Sequence, residues 1–165
     1  MYKRDNKKIA KFILKNPDNT VIGITFVLGT IQNALSNMGK FMDGVANDGA
    51  DSISMTMKRK GYLYAIEHKH VLHEALKAAV KHNDPVGAID VLTNVPMLGV
   101  VKAAFVAQLA GLDVACLDSH NLNRLGLSET AFKLNKNVTR ETKLSKIKKY
   151  VTYTQETGGS EYWWN

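Results

Sequence analysis

Apolar side chains recur along most of this chain every three or four residues, the spacing that places them on one face of a helix. Near the N-terminus the pattern is Ile9, Phe12 and Ile13. From residue 21 to 42 apolar residues also fill intervening positions, which predicts one long and mostly buried helix. No segment shows the regular alternation typical of a strand. The pattern therefore predicts an all-α fold.

Further helices are predicted where this spacing resumes, at residues 56–68, 70–81, 85–94, 100–110, 119–125 and 139–152. Asp84 is placed to cap the helix that Pro85 begins. Gly111 is placed to end the helix that precedes it. Residues 43–54 are rich in Asp, Asn, Gly and Ser, and this composition predicts a loop.

The chain is 165 residues long and 45% hydrophobic, which suits one folded domain with its own core. We assign that domain to residues 1–155 and expect a flexible tail over residues 156–165. The aromatic side chains of Tyr162, Trp163 and Trp164 predict that this tail docks on the body of the protein or on a protein partner, with stacking on bases as the alternative. No apolar run approaches the roughly 20 residues that span a bilayer, so no membrane partner is expected.

Cys116 is the only cysteine, and it lies within an apolar run. A single cysteine forms no disulfide within the chain and no cysteine-based zinc site, which favours a reducing compartment and a cytoplasmic location. His68, His70 and His73 do not share one helix face, so a solvated amphipathic helix is expected there. We therefore predict no metal site and no cofactor.

Positive charge is in excess, with 22 Lys and Arg against 15 Asp and Glu, a formal charge of +7. This balance favours polyanionic partners, above all nucleic acid, although an ordinary basic surface explains it too. Basic residues are concentrated between residues 133 and 149. Within that cluster Lys143 and Lys146 share a helix face that suits either a DNA backbone or solvent.

The segment from residue 94 to 121 combines several features in a distinctive order. A tight apolar turn from Pro96 to Gly99 opens a helix rich in small residues, Gly111 ends that helix, and Leu-Asp-Ser-His follows at 117–120. This order resembles the helix-hairpin-helix superfamily of DNA glycosylases. The resemblance implies a helical bundle or barrel whose hairpin binds a phosphate of double-stranded DNA.

In that superfamily the hairpin carries a Pro-Gly-apolar-Gly sequence, whose glycines let a phosphate approach backbone N–H groups. Gly99 matches the second glycine, whereas Met97 stands at the position of the first. The resemblance implies that the turn and the start of the next helix bind DNA, through Met97, Leu98, Gly99, Val100, Val101 and Lys102. An ordinary helix pair within a bundle is the alternative interpretation.

Asp118 follows Gly111 at the distance where the superfamily has its aspartate. The resemblance implies that this carboxylate stabilises positive charge on the sugar as the base leaves, or orients the attacking water. Capping of the next helix is a second role for Asp118, and the two roles are compatible. His120 is expected to contact DNA phosphate or to pack against the protein.

Bifunctional members of the superfamily have a lysine nucleophile two residues beyond the last hairpin glycine, which corresponds to Val101 here. Lys102 comes one residue later, about 100° further around the helix. The resemblance therefore favours a monofunctional enzyme, with Lys102 as a phosphate contact or a solvent-facing side chain. Gln32 matches, more weakly, the glutamine that probes the duplex opposite the flipped base, and a surface glutamine is the alternative.

These features lead to the hypothesis of a DNA-binding protein of the helix-hairpin-helix glycosylase type, which excises a damaged or modified base by hydrolysis of the N-glycosidic bond. One alternative is a non-catalytic DNA-binding or phage-type assembly protein that retains the fold and is associated with the virion. Another is a basic helical adaptor without a role on DNA. The iron–sulfur module of some superfamily members is excluded, because it needs four cysteines and the chain has one.

Overall fold

The structure of the protein, a computed structural model, describes residues 5–128 and 130–159. Those residues form helices, turns and loops without a strand, which confirms the all-α prediction. The helices are α1 (Asn6–Leu14), α2 (Pro17–Thr30), α3 (Met38–Asp48), α4 (Thr56–Glu67), α5 (Lys69–Lys81), α6 (Pro85–Leu92), α7 (Val100–Leu109), α8 (Ser119–Arg124) and α9 (Arg140–Glu156). Short 3-10 turns at Leu35–Asn37 and Gly49–Ser52 flank α3.

Side chains at the starts of α6 and α8 account for where these helices begin. The Asp84 carboxylate accepts the Gly87 N–H at 2.9 Å, and Pro85 is the first residue of α6. The Asp118 carboxylate caps α8 in the same way, accepting the Asn121 N–H at 2.9 Å. Such caps satisfy backbone N–H groups that have no partner within the helix. Both caps lie where the sequence predicts them.

The prediction of a single helix over residues 21–42 is wrong, because the chain folds back after α2. Gln32 takes a left-handed backbone with φ of +51°. The reversal brings α3 over Gly29, where an added Cβ would lie 2.6 Å from the side chains of Met38 and Phe41. Packing of α3 on α2 thus outweighs the apolar pattern, which by itself continues across the break.

The prediction of a loop over residues 43–54 is wrong for its first half, which continues α3. Phe41, Met42 and Val45 are half-buried, and their helical spacing gives α3 an apolar face. The exposed Asp43 and Asn47 between and after these residues conceal the pattern in the sequence. Gly49, with φ of +61°, ends the helix.

The core is built around α2 and α7. α7 packs against α1, α2 and α6, and α2 packs also against α3, α4 and α5. Between α7 and α8 the extended segment 112–117 passes through the core, with Val114, Ala115 and Leu117 fully buried. Within residues 5–128 and 130–159, no helix combines the length and the hydropathy that a bilayer crossing requires.

His73 is buried, which corrects the expectation of a solvated helix around the three histidines. It is 4% exposed on α5, and its Nδ1 lies 2.9 Å from the Thr20 hydroxyl of α2. Burial lowers the pKa of His73, and the charge of Lys77 lowers it further. The imidazole therefore joins α2 to α5. In the described part of the chain, no three His, Cys, Asp or Glu side chains are grouped to hold a metal ion.

A close approach between α4 and the turn before α7 positions the hairpin. An added Cβ on Gly61 would lie 2.5 Å from the carbonyl oxygen of Pro96 and 3.1 Å from the Leu28 side chain. Because no side chain fits between these groups, packing requires a glycine at Gly61. The turn is therefore held against α4.

We predict that Gly61→Ala destabilises the protein by about 1–3 kcal/mol, the usual cost of an extra methyl group in a packed site. The free energy of unfolding in urea measures this effect. Gly39→Ala is the control, because an added Cβ on Gly39 meets no atom within 4 Å and alanine favours the helix. Equal stability of the two variants would contradict the close packing.

Candidate nucleic-acid interface

The two helices of the hairpin, α6 and α7, pack on each other, and α7 contributes small side chains to the core. Ala103, Ala104 and Ala107 have no exposed surface. The turn between the helices is closed by the Leu98 N–H, which donates to the Val95 carbonyl at 3.0 Å. The hairpin is therefore a packed unit, with α4 against its turn and α9 against α6.

The resemblance expects glycine at two positions of the turn, and the backbone angles favour glycine at only one of them. Met97 has φ of +73°, a left-handed angle that favours glycine, the residue that the resemblance places there. Gly99 has an extended backbone, with φ of −76° and ψ of −176°, and an added Cβ would meet no atom within 4 Å. Neither packing nor conformation requires a glycine at Gly99.

The helix α7 begins at the surface of the protein. Gly99 is exposed and is the N-cap residue, and no side chain caps the helix. The first N–H groups of α7, on Val100, Val101 and Lys102, lie at the positive end of the helix dipole. An anion such as a phosphate is the kind of ligand that this end of a helix binds.

Lys102 connects the start of α7 with the end of α2. Its Nζ lies 3.3 Å from the Thr30 hydroxyl and 5.8 Å from the centroid of the Phe105 ring. Gln32 follows Thr30 by two residues and is exposed in the turn after α2. The structure thus places the segments of Gln32 and Lys102 beside each other.

Lys58, from the first turn of α4, joins this cluster and is not among the residues predicted from the sequence. It is 7% exposed, and its Nζ donates to the Gly29 carbonyl at 3.3 Å. Burial lowers the pKa of Lys58, and the charge of Lys102 lowers it further. Among the described residues neither lysine has a carboxylate within 4 Å. The feature of the sequence that points to Lys58 is the run of three basic residues, 58–60, at the start of α4.

Asp118 is positioned by contacts to the residues just before it. The buried Tyr150 hydroxyl accepts the Leu117 N–H at 2.8 Å and donates to the Ala115 carbonyl at 2.6 Å. Burial raises the pKa of Tyr150 well above its usual value, so the hydroxyl keeps the proton that it donates. Asp118 itself is exposed, and its carboxylate remains in contact with solvent while it caps α8.

Cys116 lies in the segment between α7 and α8, two residues before Asp118. Burial raises the pKa of its thiol to about 11, while the Lys102 charge lowers that pKa and the Asp118 charge raises it. The Gln108 Oε1 accepts the Cys116 N–H at 3.0 Å, and its buried Nε2 has no hydrogen-bond partner among the described residues.

The two lysines of the basic cluster that are predicted to contact DNA make contacts within the protein. Lys143 Nζ lies 3.2 Å from the Asp90 carboxylate and donates to the Asp90 carbonyl at 3.1 Å. Arg140 also pairs with Asp90, at 2.9 Å, so α9 is fastened to α6. Lys146 Nζ donates to the Lys133 carbonyl at 2.8 Å. A role on DNA for Lys143 and Lys146 stays a prediction.

His120 is exposed in α8, and its contact with DNA also stays a prediction. Tyr162, Trp163 and Trp164 lie outside the described residues. The chain matches none of the protein-family models, curated proteins or solved structures with which it was compared.

Proposed function

We propose that the protein binds the phosphate backbone of double-stranded DNA at the N-terminus of α7. The observation that carries this proposal is the open space at Gly99, an exposed glycine at a helix start without a side-chain cap. Close approach of a ligand to the backbone accounts for a glycine at such a place. The formal charge of +7 and the resemblance to helix-hairpin-helix proteins favour a polyanion as that ligand.

Two kinds of group are available to a phosphate at Gly99. The N–H groups of Val100 and Val101 donate hydrogen bonds, and the Lys102 ammonium adds a full positive charge. The same phosphate reduces the repulsion between Lys102 and Lys58, which have no carboxylate partner in the described part of the chain. Binding through such charges weakens steeply as salt is added.

Gly99→Val is predicted to weaken the binding of a short duplex by roughly tenfold or more, the equivalent of one charge-assisted hydrogen bond. The new side chain projects into open space, so we expect the fold to be unchanged. The measurement is the dissociation constant for a labelled duplex that carries an abasic-site analogue, by fluorescence anisotropy. Gly39→Val is the matched control, because Gly39 is also exposed and an added Cβ there meets no atom within 4 Å.

Salt dependence separates this site from the general positive charge of the protein. Lys102→Met is expected to lower the slope of log affinity against log salt by about one. Lys69→Met is the matched control, because Asp18 already pairs with that ammonium at 2.9 Å and Lys69 is not among the predicted DNA contacts. Unchanged affinity in Gly99→Val, or the same slope in both lysine variants, would place the DNA elsewhere on the surface.

We further propose that Asp118 is the catalytic carboxylate of base excision on that DNA, a role carried over from the resemblance. Its exposed carboxylate at the start of α8 supports this assignment. An ionised carboxylate beside the sugar stabilises the positive charge that develops as the N-glycosidic bond breaks. Water then completes the hydrolysis and leaves an abasic site.

A non-catalytic DNA-binding or virion assembly protein is the second candidate, and the contact made by Asp118 favours it. The Asp118 carboxylate accepts the Asn121 N–H at 2.9 Å, so capping of α8 by itself accounts for an aspartate at this position. The presence or absence of base release therefore separates the two candidates.

If Asp118 is catalytic, Asp118→Asn is predicted to lower the rate of base release by about 100-fold or more, with DNA affinity retained. Asparagine caps a helix about as well as aspartate, so we expect α8 to persist. A panel of duplexes with different damaged or modified bases measures the rate. Asp84→Asn is the control, since Asp84 caps α6 through the same kind of contact. Tight binding without base release from any duplex would instead support the non-catalytic candidate.

A further inference from the structure

Two ammonium groups from different helices lie close together at the C-terminus of α2. The Lys58 Nζ, from α4, donates to the Gly29 carbonyl at 3.3 Å. The Lys102 Nζ, from α7, donates to the Thr30 hydroxyl at 3.3 Å. Because these two acceptors belong to consecutive residues, whose Cα atoms lie about 3.8 Å apart, the two positive charges are neighbours.

The described residues do not neutralise either ammonium group. No carboxylate among them lies within 4 Å of Lys58 or Lys102. Each Nζ lies 5.8 Å from the centroid of a phenyl ring, that of Phe41 for Lys58 and that of Phe105 for Lys102. A carbonyl, a hydroxyl and the face of a phenyl ring offer only partial negative charges.

The burial of Lys58 makes this lack of an opposite charge unusual. Lys58 is 7% exposed. A lysine is almost never buried to this extent unless it is paired, because removal of an ammonium group from water costs free energy. Burial and the charge of Lys102 both lower the pKa of Lys58, and no carboxylate of the described residues raises it. An anionic ligand is the kind of group that supplies the missing opposite charge.

Lys102 is the member of the pair that a ligand reaches more easily. It is half-buried and lies in the first turn of α7, three residues after the exposed Gly99. Each ammonium group has three N–H donors, and each uses one of them in a hydrogen bond with the described residues. Two neighbouring positive charges suit an anion with two negative charges better than an anion with one.

Resting on the proposed function, we infer that Lys58 and Lys102 select a terminal phosphate of a DNA strand over an internal one. A terminal phosphate is a monoester with a charge of about −1.5 to −2 at pH 7, whereas an internal phosphodiester carries a single negative charge. We expect Lys102 to contact the phosphate directly and the nearly buried Lys58 to act mainly through its charge. Inorganic phosphate offers the same dianionic chemistry, so the test separates it from a strand end.

The test compares two short duplexes of one sequence with an internal fluorophore, one with phosphates at its strand ends and one with hydroxyls. We expect the native protein to bind the phosphorylated duplex roughly tenfold more tightly, the equivalent of one charge-assisted contact. Lys58→Met and Lys102→Met are each expected to remove most of this preference. Lys60→Met is the matched control, because Lys60 is exposed on the same helix as Lys58. Circular dichroism checks that each variant keeps its helices.

A second measurement uses the native protein alone and needs no variant. The second pKa of the terminal phosphate, followed by phosphorus NMR, is expected to be lower in the complex than in free DNA, because neighbouring positive charge favours the dianion. An unchanged pKa of that phosphate in the complex would contradict the inference.

Equal affinity for the two duplexes, or a preference that survives in both lysine variants, would overturn the inference. The same loss of preference in Lys60→Met would assign it to the general positive charge and would overturn it as well. Inorganic phosphate, titrated alone by calorimetry, is expected to bind far more weakly than the phosphorylated duplex, and equal affinity would count against a strand end. The proposed function fails separately, if Gly99→Val leaves the affinity for the hydroxyl-ended duplex unchanged.

Discussion

The burial of α7 is the constraint on which the rest of the site depends. Ala103, Ala104 and Ala107 have no exposed surface, and α7 packs against α1, α2 and α6. A helix buried in this way offers a ligand its ends rather than its sides. The N-terminal end reaches the surface at Gly99, while the other end leads into the buried segment 112–117 and on to Asp118. The hairpin and the carboxylate are thus connected through one buried helix.

The Lys102 side chain connects the N-terminal turn of α7 with the C-terminus of α2. The Gly29 carbonyl and the Thr30 hydroxyl, at the C-terminus of α2, contact the ammonium groups of Lys58 and Lys102. A helix C-terminus stabilises cations, which offsets part of the cost of burying the Lys58 ammonium. Because these groups carry only partial charges, a positive potential remains next to the start of α7. The net charge of the chain does not reveal where this potential lies.

Local signals in the sequence predict the hairpin and its boundaries, because caps act over three or four residues, as Asp84 and Asp118 do. The end of α2 is not predictable in this way, since side chains of α3 pack on Gly29. The pairing of Lys143 with Asp90 joins residues 53 apart in sequence. The burial of Lys58 beside Lys102 likewise depends on the completed fold. The sequence therefore predicts which residues belong to the candidate site better than it predicts which residues each of them contacts.

The central claim is that the first N–H groups of α7 bind a DNA phosphate, and amide chemical shifts test it most directly. Isotope-labelled protein is titrated with a short duplex that carries an abasic-site analogue, at low and at high salt. The account predicts that the largest shift changes occur at Gly99, Val100, Val101 and Lys102, and that they shrink as salt is added. Changes confined to the exposed lysines of α9, with the Gly99 amide unmoved, would contradict it.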